Sequence, residues 1–348
     1  MPLDGVVLAV TTRPQAVVLR ALGLGDLLTA VPALRALRRG LSDHELVLAA
    51  PRAYTNLVRH AGLADRVAHL DGKDGVPRAL PALGPEAVDV AVNLHGRGPA
   101  SHRLLQRLAP GRLVAFHCPP VHAGAAQWDD EEHEARRWSR LVTVEGFPAD
   151  PAELAIPGPG PGDSWAAGAI VLHPGAAAPA RRWPVDRWSA LAAGIRAGGG
   201  RVVVTAGPGE RPLAADVARR AGLEADAAIG ATDVMDLVEV IGRARAVVVG
   251  DTGVAHLAAA LGRPSVVLFG PTSPARWGPP DRPGHRALWA GRTGDPHGRS
   301  ADPGLLAIDV PDVEAALTQV VNAPGPPPTS GRADLPDGLG AVPAASPR

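Results

Sequence analysis

Two short segments carry groups that could handle an anion and a proton. In residues 247–269, a β-branched run stops at Gly250. Asp251, Thr252 and Gly253 then open an Ala-rich helix, with His256 one turn in. A strand that feeds a helix through a tight turn leaves unpaired backbone N–H groups at the helix start. Those groups and the helix dipole attract an anion, most often a phosphate. Asp251 is ill-suited to touch that anion, because like charges repel. It is expected to cap the helix and aim the Thr252 and Gly253 amides, with His256 facing the same anion. Near the start of the chain, residues 20–28 read RALGLGDLL. Gly23 and Gly25 permit close backbone approach, and Asp26 stands at the head of a helix. Asp26 is either a helix N-cap or a general base at the edge of a cleft. A dinucleotide fingerprint is a poorer match, since Leu28 holds the place of its third glycine.

Two further segments supply charge. Residues 171–188 read VLHPGAAAPARRWPVDRW, in which a strand runs through His173 and Gly175 into a small-residue loop. Arg181 and Arg182 come next, beside a helix start. Guanidinium groups bind phosphate oxygens bidentately, so the pair suits a pyrophosphate, and a solvated basic turn is the alternative. His173 alone reads more readily as structural than as catalytic. Residues 202–210 read VVVTAGPGE, where Glu210 either accepts hydrogen bonds from ribose hydroxyls or caps the next helix.

The elements that must position these groups alternate. Strands are expected at 17–20, 45–49, 67–70, 88–94 and 112–116, and again at 169–173 and 202–205. Helices are expected at 27–39, 185–197, 212–221, 234–243 and 311–321. Strand–helix alternation predicts parallel sheets with helices on both faces. Residues 148–162 are rich in Pro and Gly and read as a linker. The expected architecture is α/β, two Rossmann-like domains with a cleft between them. Residues after 322 are a low-complexity Pro/Gly-rich tail, expected to be disordered.

Composition sets bounds on function. The 348 residues are 46% hydrophobic with 35 basic and 35 acidic side chains. A zero formal charge argues against a nucleic-acid partner, which needs a basic face. Cys118 is the only cysteine, so neither a disulfide framework nor a thiolate metal site is expected. The first dozen residues lack the pattern of a signal peptide, and no apolar run approaches the ~20 residues that span a bilayer. A cytoplasmic protein is expected.

Taken in order, the segments closely resemble glycosyltransferase family 9, the ADP-heptose:lipopolysaccharide heptosyltransferases. The resemblance runs from about residue 16 to 279. It rests on RALGLGDLLTAVPALRALR, VDVAVNLHGRGPAS, HPGA with RRWPVDRW, TAGPGE, and above all GDTGVAHLAAALGRPSVVLFGPTSPARWGP. It implies a GT-B fold and inverting, metal-independent transfer from an ADP-activated sugar, heptose in this family, to a saccharide or glycan hydroxyl. That acceptor could lie at the inner membrane surface. No cofactor is implied, and the chain is expected to act as a monomer. By position, Asp26 matches the family's catalytic carboxylate and Glu210 its ribose-binding glutamate. Asp251, Thr252, Gly253 and His256 match its diphosphate-side DTGxxH. Arg181 stands where the family usually has a lysine, and Ala176 and Ala177 where it often has Ser or Thr. Gly25, His173, Gly175 and Arg182 complete the expected donor site. The domains are then 1–150, acceptor-binding and carrying Asp26; 151–165, linker; 166–321, donor-binding; and 322–348, tail. Asn93, His95, Arg97 and Arg103, near a strand's carboxyl end, are candidates to meet the acceptor. A noncatalytic nucleotide-sugar-binding protein and a nucleotide-sugar epimerase are the rival readings.

Overall fold

The computed structural model describes residues 13–70, 75–81, 83, 87–162, 164–207, 209–223, 229–230 and 233–323. The tail beyond 323, and the amino-terminal dozen residues read for a signal peptide, lie outside them. Two parallel sheets hold the strands. The first contains β1 (Gln15–Leu19), β2 (Glu45–Ala50), β3 (Arg66–His69), β4 (Val88–Asn93) and β5 (Arg112–Val114), in the order β3-β2-β1-β4-β5. The second contains β6 (Ile170–His173), β7 (Val202–Thr205), β8 (Ile229–Gly230), β9 (Ala246–Gly250), β10 (Ser265–Phe269) and β11 (His285–Trp289), in the order β11-β10-β9-β6-β7-β8. Val17 pairs with Val47 on one side and Ala91 on the other. Val171 likewise pairs with Val203 and Val247. Every residue of β1 and β9 is buried, which is why these strands read as unbroken apolar runs rather than alternating ones.

The helices are α1 (Leu24–Thr29), α2 (Val31–Gly40), α3 (Thr55–His60), α4 (Ala100–Gln106), α5 (Glu134–Val144), α6 (Val185–Ala197), α7 (Arg211–Arg220), α8 (Val234–Arg243), α9 (Gly253–Ala260), α10 (Pro274–Trp277), α11 (Pro303–Leu306) and α12 (Val310–Asn322). The single helix expected over 27–39 is instead two, broken at Ala30 with ψ −5°. Pro32 explains the break: it has no N–H to donate to the Leu28 carbonyl, and its ring crowds the preceding turn. The last helix reaches Asn322, one residue into the segment expected to be tail.

In each sheet the chain reverses direction of travel beside one strand. β2 and β4 flank β1, and β7 and β9 flank β6. Open parallel sheets form ligand crevices at the carboxyl ends of strands at such points. The segments carrying Asp26, Arg181 and Asp251 leave β1, β6 and β9 there. The two crevices face one another across an apolar contact, in which Leu27 and Leu28 of α1 share one buried cluster with Val254, Leu257 and Ala258 of α9. The Pro-rich connection has no regular structure over 152–160 but is fastened down. Ile156 is buried and donates its N–H to the Ala260 carbonyl at 2.9 Å, and His60 Nε2 lies 3.0 Å from the Pro157 carbonyl.

Candidate active site

A cavity of about 900 Å³ lies between the two sheets' carboxyl ends. Asp26 and Gly25 line it from the first domain. His173, Gly175, Arg181, Glu210, Asp251, Thr252, Gly253 and His256 line it from the second. All but one of the residues expected at the catalytic and donor sites therefore converge on one space.

Asp26 is not the N-cap of α1. Gly23 is, with extended backbone, and Asp26 stands three residues on. Its Oδ2 accepts the Gly23 N–H at 3.1 Å, closing the helix start, while Oδ1 lies 3.4 Å from Arg20 Nη2. Burial pushes the Asp26 carboxyl above the ordinary carboxylate range, and the Arg20 guanidinium opposes that push. The result is a carboxylate with raised proton affinity at the cavity wall.

The helix cap of α9 also differs from expectation. Thr252, not Asp251, caps it: the Thr252 hydroxyl accepts the Val254 N–H at 3.3 Å. Asp251 lies one residue too early to reach those amides. It is buried, its side chain bonds Thr272, and its carbonyl accepts a hydrogen bond from Arg181 Nη1 at 3.2 Å. Burial raises the Asp251 carboxyl, with Arg181 opposing. Arg181 Nε is buried without a hydrogen-bond partner, so the guanidinium retains a donor that the protein itself does not satisfy.

Glu210 precedes α7, yet its side chain makes no cap hydrogen bond. The carboxylate turns back over the loop, with Oε2 accepting the Gly207 N–H at 3.0 Å. Gly175 makes room for it: a Cβ there would stand 2.6 Å from Glu210 Oε1 and closer still to Oε2. His173 Nδ1 lies 2.9 Å from Thr205 Oγ1, and burial drops its pKa to about 4, so it sits neutral. Arg182 does not reach the cavity. The chain leaves a 3₁₀ turn at Arg181 and extends through Arg182, so adjacent side chains diverge. Arg182 Nε donates to the Ala176 carbonyl at 2.9 Å, and Nη2 lies 4.0 Å from Glu210.

The glycines of the two loops meet each other rather than open space. A Cβ on Gly253 would stand 2.7 Å from Leu24 Cβ and 2.9 Å from the Gly25 nitrogen. A Cβ on Gly25 would stand 2.8 Å from His256 Cδ2. The His256 ring lies edge-on to Trp277 with centroids 5.7 Å apart, and burial lowers its pKa to about 4.

None of the four acceptor candidates lines this cavity. Asn93 is buried and ties its own loop together, donating to the Gly96 carbonyl at 3.0 Å and Ser101 Oγ at 2.9 Å. His95 is buried with its pKa at about 4. Arg97 pairs with Asp130 on the surface at 3.5 Å, and Arg103 is exposed. Groups that the sequence did not single out as site residues do line the space: Glu131, Thr272, Ser273, Arg276 and Trp277. The last four belong to the GPTSPARW block, so their signal lay in a motif already quoted. Glu131 lies in an acidic run that matches no motif.

Two domains with parallel sheets, facing across a cleft, define the GT-B class of fold. Residues 152–295 match the family model Glycosyltransferase family 9 (heptosyltransferase). Solved structures agree in fold. A family 9 glycosyl transferase from Veillonella parvula superposes with TM-score 0.70 at 18% identity, covering 89% of this chain and 98% of that one. The E. coli ADP-heptose lps heptosyltransferase II gives 0.66 at 18% identity, covering 88% and 98%. E. coli heptosyltransferase WaaC with ADP gives 0.64 at 16% identity, covering 88% and 99%. No curated protein sequence matches the chain significantly.

Proposed function

We propose that this protein transfers a sugar, heptose in the first instance, from an ADP-activated donor to a saccharide or glycan hydroxyl, with inversion at the anomeric carbon. The observation that carries this reading is the convergence of Asp26, Arg181, Glu210 and the start of α9 on one cavity between the domains. The choice of ADP draws on structural neighbours solved with ADP and with ADP-2-deoxy-2-fluoro heptose.

In this reading Asp26 takes the proton of the acceptor hydroxyl as it attacks. Negative charge grows on the departing diphosphate. Arg181, with its unsatisfied Nε, and the amides that open α9 stabilise that charge in a partly dry site, where fixed dipoles act strongly. Glu210 takes the ribose hydroxyls. Arg182 holds the Ala176 loop and Glu210, rather than touching phosphate. No helix among the described residues is long and apolar enough to cross a membrane.

Asp26→Asn tests the reading. Calorimetry is expected to show ADP binding unchanged within about twofold, while ADP release in the presence of acceptor falls by ~100-fold or more, the scale of a lost general base. Turnover near the wild-type rate in this variant removes Asp26 from the role. ADP binding with no release against neutral, amino and phosphorylated saccharides would instead favour a noncatalytic binding protein.

A further inference from the structure

Behind Asp26 lies a chain of buried charges that the reaction as proposed does not use. Arg20 immediately follows β1 and is 1% exposed. Its Nε donates to the Asp26 carbonyl at 2.9 Å, and Nη1 donates to the Leu94 carbonyl. Nη2 reaches Thr29 Oγ1 at 3.3 Å and Glu134 Oε1 at 3.0 Å, with Asp26 Oδ1 at 3.4 Å. Glu134 opens α5 and is 5% exposed. Its Oε1 also accepts the indole N–H of Trp138 at 2.7 Å, and its Oε2 accepts a hydrogen bond from Arg137. The Trp138 ring lies under the Arg20 guanidinium at 4.8 Å.

Thus one guanidinium serves two carboxylates. The shorter contact, 3.0 Å, goes to Glu134, and the longer, 3.4 Å, to Asp26. Fully given to Asp26, Arg20 would stabilise the ionised carboxylate and make it a poor proton acceptor. Shared, it orients Asp26 through its main-chain carbonyl and leaves the carboxylate less neutralised. We infer that Glu134 is a positioning residue for the transfer reaction: by engaging Arg20 from behind, it keeps the Asp26 carboxylate basic enough to take the acceptor's proton. This rests on the reading of Asp26 as the base.

The surrounding titratable groups do not compete for that role. Tyr54, from the turn after β2, faces Asp26 with its hydroxyl pKa raised by burial, so it stays neutral. His95, beyond β4, and His256, on α9, face Arg20 with pKa values of about 4. His133, ahead of Glu134, is lowered by burial and accepts the Ala135 N–H at Nδ1. Arg137, behind Glu134, is held by the carbonyls of Asp129, Asp130 and Glu132, so it cannot swing onto Asp26.

The test is the pH profile of kcat for Glu134→Gln in the full-length protein, with ADP release as readout. Removing the charge leaves Arg20 to Asp26. The acid limb of the profile is expected to move to lower pH by about one unit, the scale set by one partner charge. At neutral pH, kcat is expected to fall about tenfold while the donor KM stays within twofold. Glu134→Asp keeps the charge but draws it back from Arg20, so its limb is expected to move less, in the same direction. If Glu134→Gln does not fold, Glu134→Asp carries the test. A folded variant with lowered kcat and an unmoved acid limb overturns the inference, because a merely structural role lowers kcat without moving the limb. Asp26→Asn separates the two proposals. If that variant keeps turnover, the base reading fails. If it loses turnover while the Glu134 profiles stay put, only the present inference fails.

Discussion

Gly175→Ala offers a test of the donor site through Glu210, the group that Gly175 makes room for. Gly175 has no left-handed backbone conformation in this structure, so alanine costs little locally. The new Cβ would instead occupy the space of the Glu210 carboxylate, 2.6 Å from Oε1. A carboxylate at the end of a flexible side chain yields before backbone does, so Glu210 is expected to be expelled toward solvent. One hydrogen bond, from the Gly207 N–H at 3.0 Å, is lost in the protein. Gly207 is half-buried and the expelled carboxylate is rehydrated, so water replaces both partners and the cost stays at about 1 kcal/mol or less, a drop of about 3 °C or less in Tm for a chain of this size. The ligand loses more. A hydrogen bond to a charged group contributes about 1.5–3 kcal/mol, which corresponds to a rise of roughly 10- to 150-fold in the ADP Kd. Calorimetry against ADP measures it directly. A cycle with Glu210→Ala sharpens the result: in that background Gly175→Ala meets no carboxylate and is expected to change Kd by less than twofold. Additive losses in the double variant would refute the reasoning, because they would mean that Gly175 acts on the nucleotide without Glu210.

The same geometry sets three further outcomes. Gly253→Ala places a Cβ 2.9 Å from the Gly25 backbone nitrogen, where nothing flexible can yield, so turnover is expected to fall more than tenfold with ADP affinity changed far less; kcat and calorimetric Kd separate the two. Thr252→Ala removes the cap of α9, costing about 1 kcal/mol; a lower Tm together with weaker ADP binding is expected, and an unchanged Kd would detach that helix start from the diphosphate. His173 and His95 are buried with pKa values of about 4, below the unfolded value near 6.5. The unfolded chain therefore binds protons first, so stability is full above about pH 6.5 and falls as pH drops toward 4. Urea midpoints at pH 7 and pH 5 check the sign, and a midpoint higher at pH 5 contradicts it.

Much of this was legible in the sequence because each functional loop leaves a strand whose apolar run announces it. The run that ends at Gly250 marks β9, and the turn beyond Gly250 must face the crevice. Capping was harder to assign, since Asp and Thr are both good N-caps and adjacent in Asp251-Thr252. A one-residue difference in where the helix starts decides between them, and side-chain type does not. Arg181 and Arg182 show the same limit: adjacency suggests a paired clamp, but the extended backbone at Arg182 turns it to Ala176. Glu134 was invisible for a different reason. It lies 114 residues from Arg20, in the charged run 129–137, and no local pattern distinguishes a buried carboxylate from a solvated one. The acceptor candidates around Asn93 do not line the cavity, and Asn93 itself ties its own loop, as a polar residue after a strand equally well can.

The meeting of Gly25 with Gly253 and the α9 turn has a mechanical consequence. Bare backbone from one domain rests against bare backbone from the other, with no side chain between them to change rotamer. Close-packed atoms compress very little, so the contact works as a hard stop that limits how far the domains can approach. The gap from the Asp26 carboxylate to the head of α9 is then gauged by peptide geometry itself. Swapping side chains elsewhere in the cleft can recut the shape of the space a substrate fills while leaving that gap the same. The two glycines form a fixed gauge block around which a specificity pocket can be remodelled.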